Sequence, residues 1–143
     1  MTLFYVEIKY VAQICDVVGL LLENINSGAE YLPRYIKDGS INNIYLNFSP
    51  PFPPNSYESH RLTCDRRIEE YKKYLVDGGC VYQKTDDKDF FDYSFERFLA
   101  NGFSVENVSL LIDNGQIDNV MTEYEKKFRD KDMPIYALIA KKK

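Results

Sequence analysis

Three stretches of the sequence carry residues whose type and spacing suit them to chemistry. They are Ser49-Pro50-Pro51-Phe52-Pro53-Pro54, Lys84-Thr85-Asp86-Asp87 and Thr122-Glu123-Tyr124-Glu125. The first is a rigid loop at the end of a strand, because proline cannot continue a central strand. The second puts two carboxylates after a strand, which on pattern alone is an Asx-type turn opening a helix. The third has Thr and Glu three residues apart, the spacing of a capping box. The one histidine, His60, lies between Ser59 and Arg61 in a polar stretch. No Ser/His/Asp or Cys/His spacing surrounds it, so nucleophilic catalysis is not indicated and His60 reads as a surface residue. Cys15, Cys64 and Cys80 are far apart and odd in number, with no C-x-x-C. That argues against a disulfide framework or a structural zinc site and leaves buried thiols; no metal is expected.

These loops need a scaffold, and the hydrophobic pattern supplies one. Leu3 to Ile8 reads as a strand. Val11, Ile14, Cys15, Val18, Leu21 and Leu22 then follow helical spacing over residues 10 to 23. A short helix is expected over Ala29 to Ile36 and a strand over Ile41 to Phe48. Cys64, Ile68, Tyr71 and Leu75 share a helix face, and Gly78-Gly79 is expected to end that helix. Cys80 to Gln83 begins the next strand. Phe91, Phe95 and Phe98 mark a helix ended by Asn101-Gly102. Phe103 to Ile112 reads as a strand, a helix carrying Tyr124 and Phe128 opens at Thr122, and Pro134 to Ala140 is a last strand. Strands alternating with helices predict one α/β domain over residues 1–143 with a mostly parallel sheet. Ligands of such sheets bind at the C-terminal ends of strands, which is where the loops at Ser49 and Lys84 lie.

The 143 residues are 45% hydrophobic and 28% charged, with a formal net charge of -4. That composition fits one globular domain with a core. No apolar run approaches the roughly 20 residues a membrane helix needs. The N-terminal stretch has no signal-peptide layout, so a cytoplasmic location is expected. The acidic balance counts against a general nucleic-acid binder, although a local patch can still touch phosphate. Arg61, Arg66 and Arg67, interleaved with Asp65, Glu69 and Glu70, read as a solvated helix face. The run Lys126, Lys127, Arg129, Lys131 and Lys141 to Lys143 reads as surface charge.

Asn43-Ile44-Tyr45-Leu46-Asn47-Phe48-Ser49 with its proline run, Gly78-Gly79 followed by Lys84-Thr85-Asp86, and Asp118 to Phe128 followed by Pro134-Ile135-Tyr136 stand in one order. In that order they resemble the bacterial tRNA (guanine-N7)-methyltransferases. The resemblance covers roughly residues 5 to 139. It implies a Rossmann-like, S-adenosylmethionine-dependent methyltransferase domain with an antiparallel last strand, acting on a variable-loop guanine of tRNA. It implies Asp86 and Thr122, Glu123, Tyr124 and Glu125 for substrate, and Glu7 and Glu30 for cofactor. It also exposes departures. The sequence holds no G-x-G-x-x-G-like loop, so it reads as an incomplete domain starting at the family's second strand. The family's Gly-Asp-Ala-Glu stretch is here Ser27-Gly28-Ala29-Glu30. Its Ser-Asp-Pro-Trp-Pro-Lys is here Ser49-Pro50-Pro51-Phe52-Pro53-Pro54, so Pro50 stands where the central Asp is expected and no residue of this chain is assigned as catalytic. The resemblance therefore implies weak or absent activity for this chain. The alternative is a non-catalytic remnant binding tRNA or a protein partner, with a homodimer through exposed sheet edges as one outcome. Ser49-Pro50-Pro51-Phe52 also fits the loop of amino-methyltransferases, whose polar side chain and proline carbonyl receive the target amine.

Overall fold

The computed structural model describes residues 36–53, 55–116, 121 and 123–143. The strand expected at Leu3 to Ile8 and the helices expected at 10 to 23 and 29 to 36 lie outside the described residues, Ile36 excepted, as do Glu7, Glu30 and Thr122.

Strand β1 (Ile41–Asn47) alternates as a half-buried strand should: Ile44 and Leu46 are buried while Tyr45 is half-exposed between them. A 3-10 turn (Asn55–His60) leads to helix α1 (Asp65–Tyr74), which buries Ile68 and Tyr71 on one face. Strand β2 (Leu75–Thr85) follows with no intervening loop. The glycines therefore do not end the helix as expected; Tyr74 does, and Gly78 and Gly79 lie inside a bulged start of β2. Ile41 faces Leu75 but Asn43 faces Cys80, so β2 spends extra residues there, with Gly78 at φ 77°. Lys142 closes the bulge: its amide donates to the Gly79 carbonyl at 2.8 Å and its carbonyl accepts from Gly78.

Helix α2 (Lys88–Ala100) begins at Asp87, whose side chain accepts from the Phe90 amide at 2.7 Å. Strand β3 is short (Ser104–Asn107) and is followed by helix α3 (Ser109–Asp113). The expected strand through Ile112 thus breaks at Asn107. Its side-chain oxygen accepts from both the amide and the hydroxyl of Ser109, and that local turn outcompetes strand extension. Helix α4 (Glu123–Arg129) and strand β4 (Tyr136–Lys141) complete the described elements.

The sheet order is β1-β2-β4-β3. β1 and β2 are parallel, and β4 is antiparallel to both of its neighbours, β2 and β3. Three strands therefore run one way and the last strand runs against them, as expected. One face of the sheet, with Leu46, Val81, Leu138 and Ala140, packs on Ile68 and Tyr71 of α1, on Phe91 and Phe98 of α2, and on Phe103. Of the described cysteines, Cys64 is buried and Cys80 only half-buried; neither is in a disulfide. The expectation of buried thiols holds for the first alone. Among the described residues no helix is long and apolar enough to cross a membrane.

Candidate functional site

The C-terminal ends of β1 and β2 lie side by side, joined by the Phe48 amide donating to the Lys84 carbonyl at 2.8 Å. Phe48 itself has φ 53°, a left-handed conformation that an aromatic residue rarely adopts. The ring of Phe48 packs against α4, with centroids 4.8 Å from Tyr124 and 6.2 Å from Phe128; Tyr124 and Phe128 are 4.7 Å apart. Tyr124 is the open member of this triangle, 48% exposed. Burial of its oxygen, and then the charge of Asp86, push the Tyr124 phenol above its ordinary pKa. Asp86 is half-buried, and among the described residues its carboxylate has no hydrogen-bond or ion-pair partner. The turn that carries it is held from behind: the Thr85 hydroxyl accepts from the Asp87 amide at 3.1 Å, and Asp87, not Asp86, caps α2.

The fourth residue of the Thr122–Glu125 stretch behaves differently. Glu125 is fully enclosed and sits between two cations. Lys84 Nζ donates to one carboxylate oxygen at 2.7 Å, and Arg129 Nε donates to the other at 2.8 Å. Arg129 also reaches Asp113 of α3 at 2.7 Å, which holds its guanidinium above its usual range together with Glu125. The ion pairs tie α4 to the end of β2 and leave Tyr124 and Glu123 on the open side. Arg129 stands at i,i+4 from Glu125, a spacing open to sequence, but nothing local signals the pair with Lys84, 41 residues away.

On the β1 side, the proline loop is organised by Arg61. Its Nε donates to the Pro51 carbonyl at 2.9 Å and its Nη2 to the Phe52 carbonyl at 3.0 Å. Arg61 and Arg67 are both buried, which corrects their reading as a solvated face. Arg67 pairs with Glu70 at 2.8 Å, an i,i+3 bridge along α1. His60 is exposed, as expected, with Phe52 and Tyr57 rings beside it. Ser49 is buried, and the Pro51 and Phe52 carbonyls accept from Arg61. Pro50 is half-buried in the same loop.

Two ribose hydroxyls need a fixed carboxylate; the residue that the resemblance implies for them, Glu7, and the second implied cofactor residue, Glu30, both lie outside the described residues. The strand end of β1 offers Pro50 in place of an acid. What the described residues do form is an aromatic and acidic surface at the mouth of two parallel strands, with its supports buried behind it.

The chain matches, over residues 8–138, the model of a family described as "Putative methyltransferase". It is 39% identical over 141 residues to a tRNA (guanine-N(7)-)-methyltransferase of Geobacillus sp. (strain WCH70), covering 92% of this chain and 64% of the relative. It is 41% identical over 113 residues to the protein of the same name from Geobacillus kaustophilus (strain HTA426), covering 78% of this chain and 52% of the relative. The chain thus spans about half to two-thirds of the length of these curated relatives. Among solved structures, a precorrin-6y C5,15-methyltransferase from Geobacter metallireducens GS-15 matches with a TM-score of 0.53 at 13% identity, covering 93% of this chain and 61% of that one. At that identity the likeness speaks for the fold alone, one that it shares with a methyltransferase. With a family match across nearly its whole length, close relatives of one name and the strand order to accompany them, the chain belongs to the family of the bacterial tRNA (guanine-N7)-methyltransferases.

Proposed function

We propose that this chain supplies the substrate side of methyl transfer to N7 of a guanine in tRNA. The carrying observation is the half-exposed Phe48–Tyr124–Phe128 cluster at the strand ends, where Phe48 is hydrogen-bonded to Lys84 and Asp86 directly follows β2. Guanine N7 has no proton to lose, so the reaction asks for little acid–base help. It asks the protein to hold the base flat and in line, with water excluded. Aromatic rings provide a face for stacking, worth about 1–3 kcal/mol per base. A carboxylate can accept from guanine N1–H and the exocyclic amine, and offset the positive charge that the purine acquires. Asp86 is suited to that role and Tyr124 to stacking. Glu125, enclosed by Lys84 and Arg129, holds α4 in place so that Tyr124 stays at the mouth.

Without a Gly-rich loop, and with Pro50 at the expected acid, the chain alone binds tRNA and transfers methyl groups slowly or not at all. The test has two arms. The chain is titrated with an unmodified tRNA transcript and with S-adenosylhomocysteine by calorimetry, and methyl incorporation into the tRNA is followed. Binding to tRNA that weakens about tenfold in Tyr124→Ala and in Asp86→Asn is expected, in line with the stacking contribution. Absence of tRNA binding, or binding indifferent to both variants, refutes the proposal. Micromolar S-adenosylhomocysteine binding with methyl incorporation makes the chain an enzyme in its own right; tRNA binding without either makes it a non-catalytic member of its family.

A further inference from the structure

The proline loop after β1 cannot hold itself. Pro51 and Pro53 lack amide hydrogens, so the segment cannot close on its own backbone, yet its carbonyls need donors. One side chain supplies them. Arg61 Nε donates to Pro51 O at 2.9 Å and to Phe52 O at 3.3 Å, and Nη2 donates to Phe52 O at 3.0 Å and to Pro53 O at 3.5 Å. The guanidinium is seated on Tyr93 of α2, its central carbon 4.4 Å from the ring centroid. Tyr93 in turn donates its hydroxyl to Glu58 at 2.8 Å, and the Glu58 carbonyl accepts from the Arg61 amide at 3.1 Å. Arg61 is only 7% exposed, and among the described residues it forms no ion pair. Its charge is met by carbonyl dipoles and a ring face, an arrangement that needs the planar fork of arginine and that lysine cannot reproduce.

Resting on the proposed function, we infer that Arg61 is the positioning residue of the proline loop that follows β1. It locks residues 51–53 in one shape, with Phe52 at φ 44°, and so fixes the course of the segment that leaves the strand end carrying Phe48. It does not contact phosphate itself. This differs from the role that an exposed arginine in an RNA-binding protein would have, and the two roles separate experimentally.

The chain carries its own reporter. His60 is the one histidine, and its ring lies 5.8 Å from Phe52 and 5.8 Å from Tyr57, so its imidazole proton resonances report the loop's shape through ring currents. The experiment compares wild type, Arg61→Lys and Tyr93→Phe by NMR of His60, by tRNA affinity and by the salt dependence of that affinity, at a temperature where each variant is folded by circular dichroism. Arg61→Lys keeps the charge and loses the fork. Its His60 signals are expected to move toward those of an exposed histidine and its tRNA affinity to fall about tenfold or more, with the slope against salt unchanged. Tyr93→Phe keeps the ring beneath the guanidinium and is expected to fall between; it serves as the reading if Arg61→Lys does not fold. A phosphate-contacting arginine would behave otherwise: where lysine preserves the contact, tRNA affinity stays near wild type, and where lysine loses it, the slope falls by about 1. Unmoved His60 signals overturn the clamp. Moved signals with tRNA affinity within twofold of wild type overturn the positioning role. A reduced salt slope assigns Arg61 to phosphate and overturns it as well. A wild-type chain that binds no tRNA fails the proposed function, and with it this role, whatever His60 reports.

Discussion

Replacing Lys84 with methionine tests the buried charges behind the site. The Glu125 carboxylate is fully enclosed, with Lys84 at 2.7 Å and Arg129 at 2.8 Å; the Lys84 side chain is 10% exposed and that of Arg129 27%. Removing one partner of a buried ion pair costs about 3–5 kcal/mol, mostly because the other charge is left without compensation. Arg129 still holds one oxygen in the Lys84→Met variant, which places the cost at the lower end, about 3 kcal/mol. For a domain of this size that lowers Tm by about 10 °C. Glu125→Leu alone leaves Lys84 and Arg129 facing an apolar side chain and costs a similar amount. The double variant Lys84→Met/Glu125→Leu removes both opposite charges, and Arg129 keeps Asp113 at 2.7 Å. An ion pair replaced as a unit by apolar residues is often near neutral, so each single cost should exceed the double cost by about 2 kcal/mol. Urea unfolding at pH 7, followed by far-ultraviolet circular dichroism, measures all four proteins. A Lys84→Met cost below about 1 kcal/mol, or additivity within about 0.5 kcal/mol, would refute the reasoning, because solvent-screened pairs behave in that way.

Three further outcomes follow from local geometry. Burial holds the Tyr71 phenol well above its ordinary value, as burial and then Glu58 do for Tyr93. A phenol whose folded pKa is raised contributes stability below the unfolded value of about 10 and loses it as pH rises through the folded value, at up to about 1.4 kcal/mol per pH unit for each phenol. Urea midpoints should therefore be flat in this respect from pH 7 to 9 and fall above pH 10, with a shallower fall in Tyr71→Phe; equal slopes would count against burial as the cause. Gly79→Ala should cost about 1–3 kcal/mol, since its Cβ would lie 2.9 Å from the Val76 carbonyl oxygen and 3.0 Å from that of Asn42, neither of which can swing away. Gly39→Ala meets nothing within 4 Å and should cost only the strain of its φ of 62°, about 1–2 kcal/mol, so a Gly79 cost below that of Gly39 in thermal unfolding argues against the crowded bulge. Asp87→Ala removes the cap from α2 and should lower stability by about 1 kcal/mol in the same assay, and no loss would show that the Phe90 amide finds another acceptor.

Much of the scaffold could be read from the order of residues alone. Ile44 and Leu46 announce β1 by their alternation, and Ile68 and Tyr71 announce the buried stripe of α1 by helical spacing. The antiparallel last strand was legible through family resemblance rather than through pattern. What escaped has a common physical cause. Leu75 sits at a helical position but enters β2, because its partner Ile41 lies 34 residues earlier. Asn107 and Ser109 stop β3 by a turn that the apolar residues after them conceal. Arg61 looks like a solvated cation until the carbonyls of Pro51 to Pro53 are folded over it. In the candidate site, Tyr124 stays on the open side, whereas Glu125 turns inward to a lysine that no local spacing links to it. Hydrophobic periodicity is local and survives in the sequence; charge pairing and carbonyl capture are set by the fold and do not.

The position of β2 between β1 and β4 bears on how the chain comes to be made. Val81 pairs with Ile44, already synthesised, and with Ala140, 59 residues further on. At about 5–20 residues per second, a ribosome needs roughly 3–12 s to deliver that second partner. For that interval the apolar centre of the sheet is a strand with one open edge, the kind of surface that recruits other strands. The Cys80–Thr85 segment is thus the stretch that a nascent-chain chaperone should find, and any shortened version ending before Tyr136 would carry the same open edge permanently. Solubility across a series of C-terminal truncations should therefore drop in one step as β4 is removed, not gradually with length.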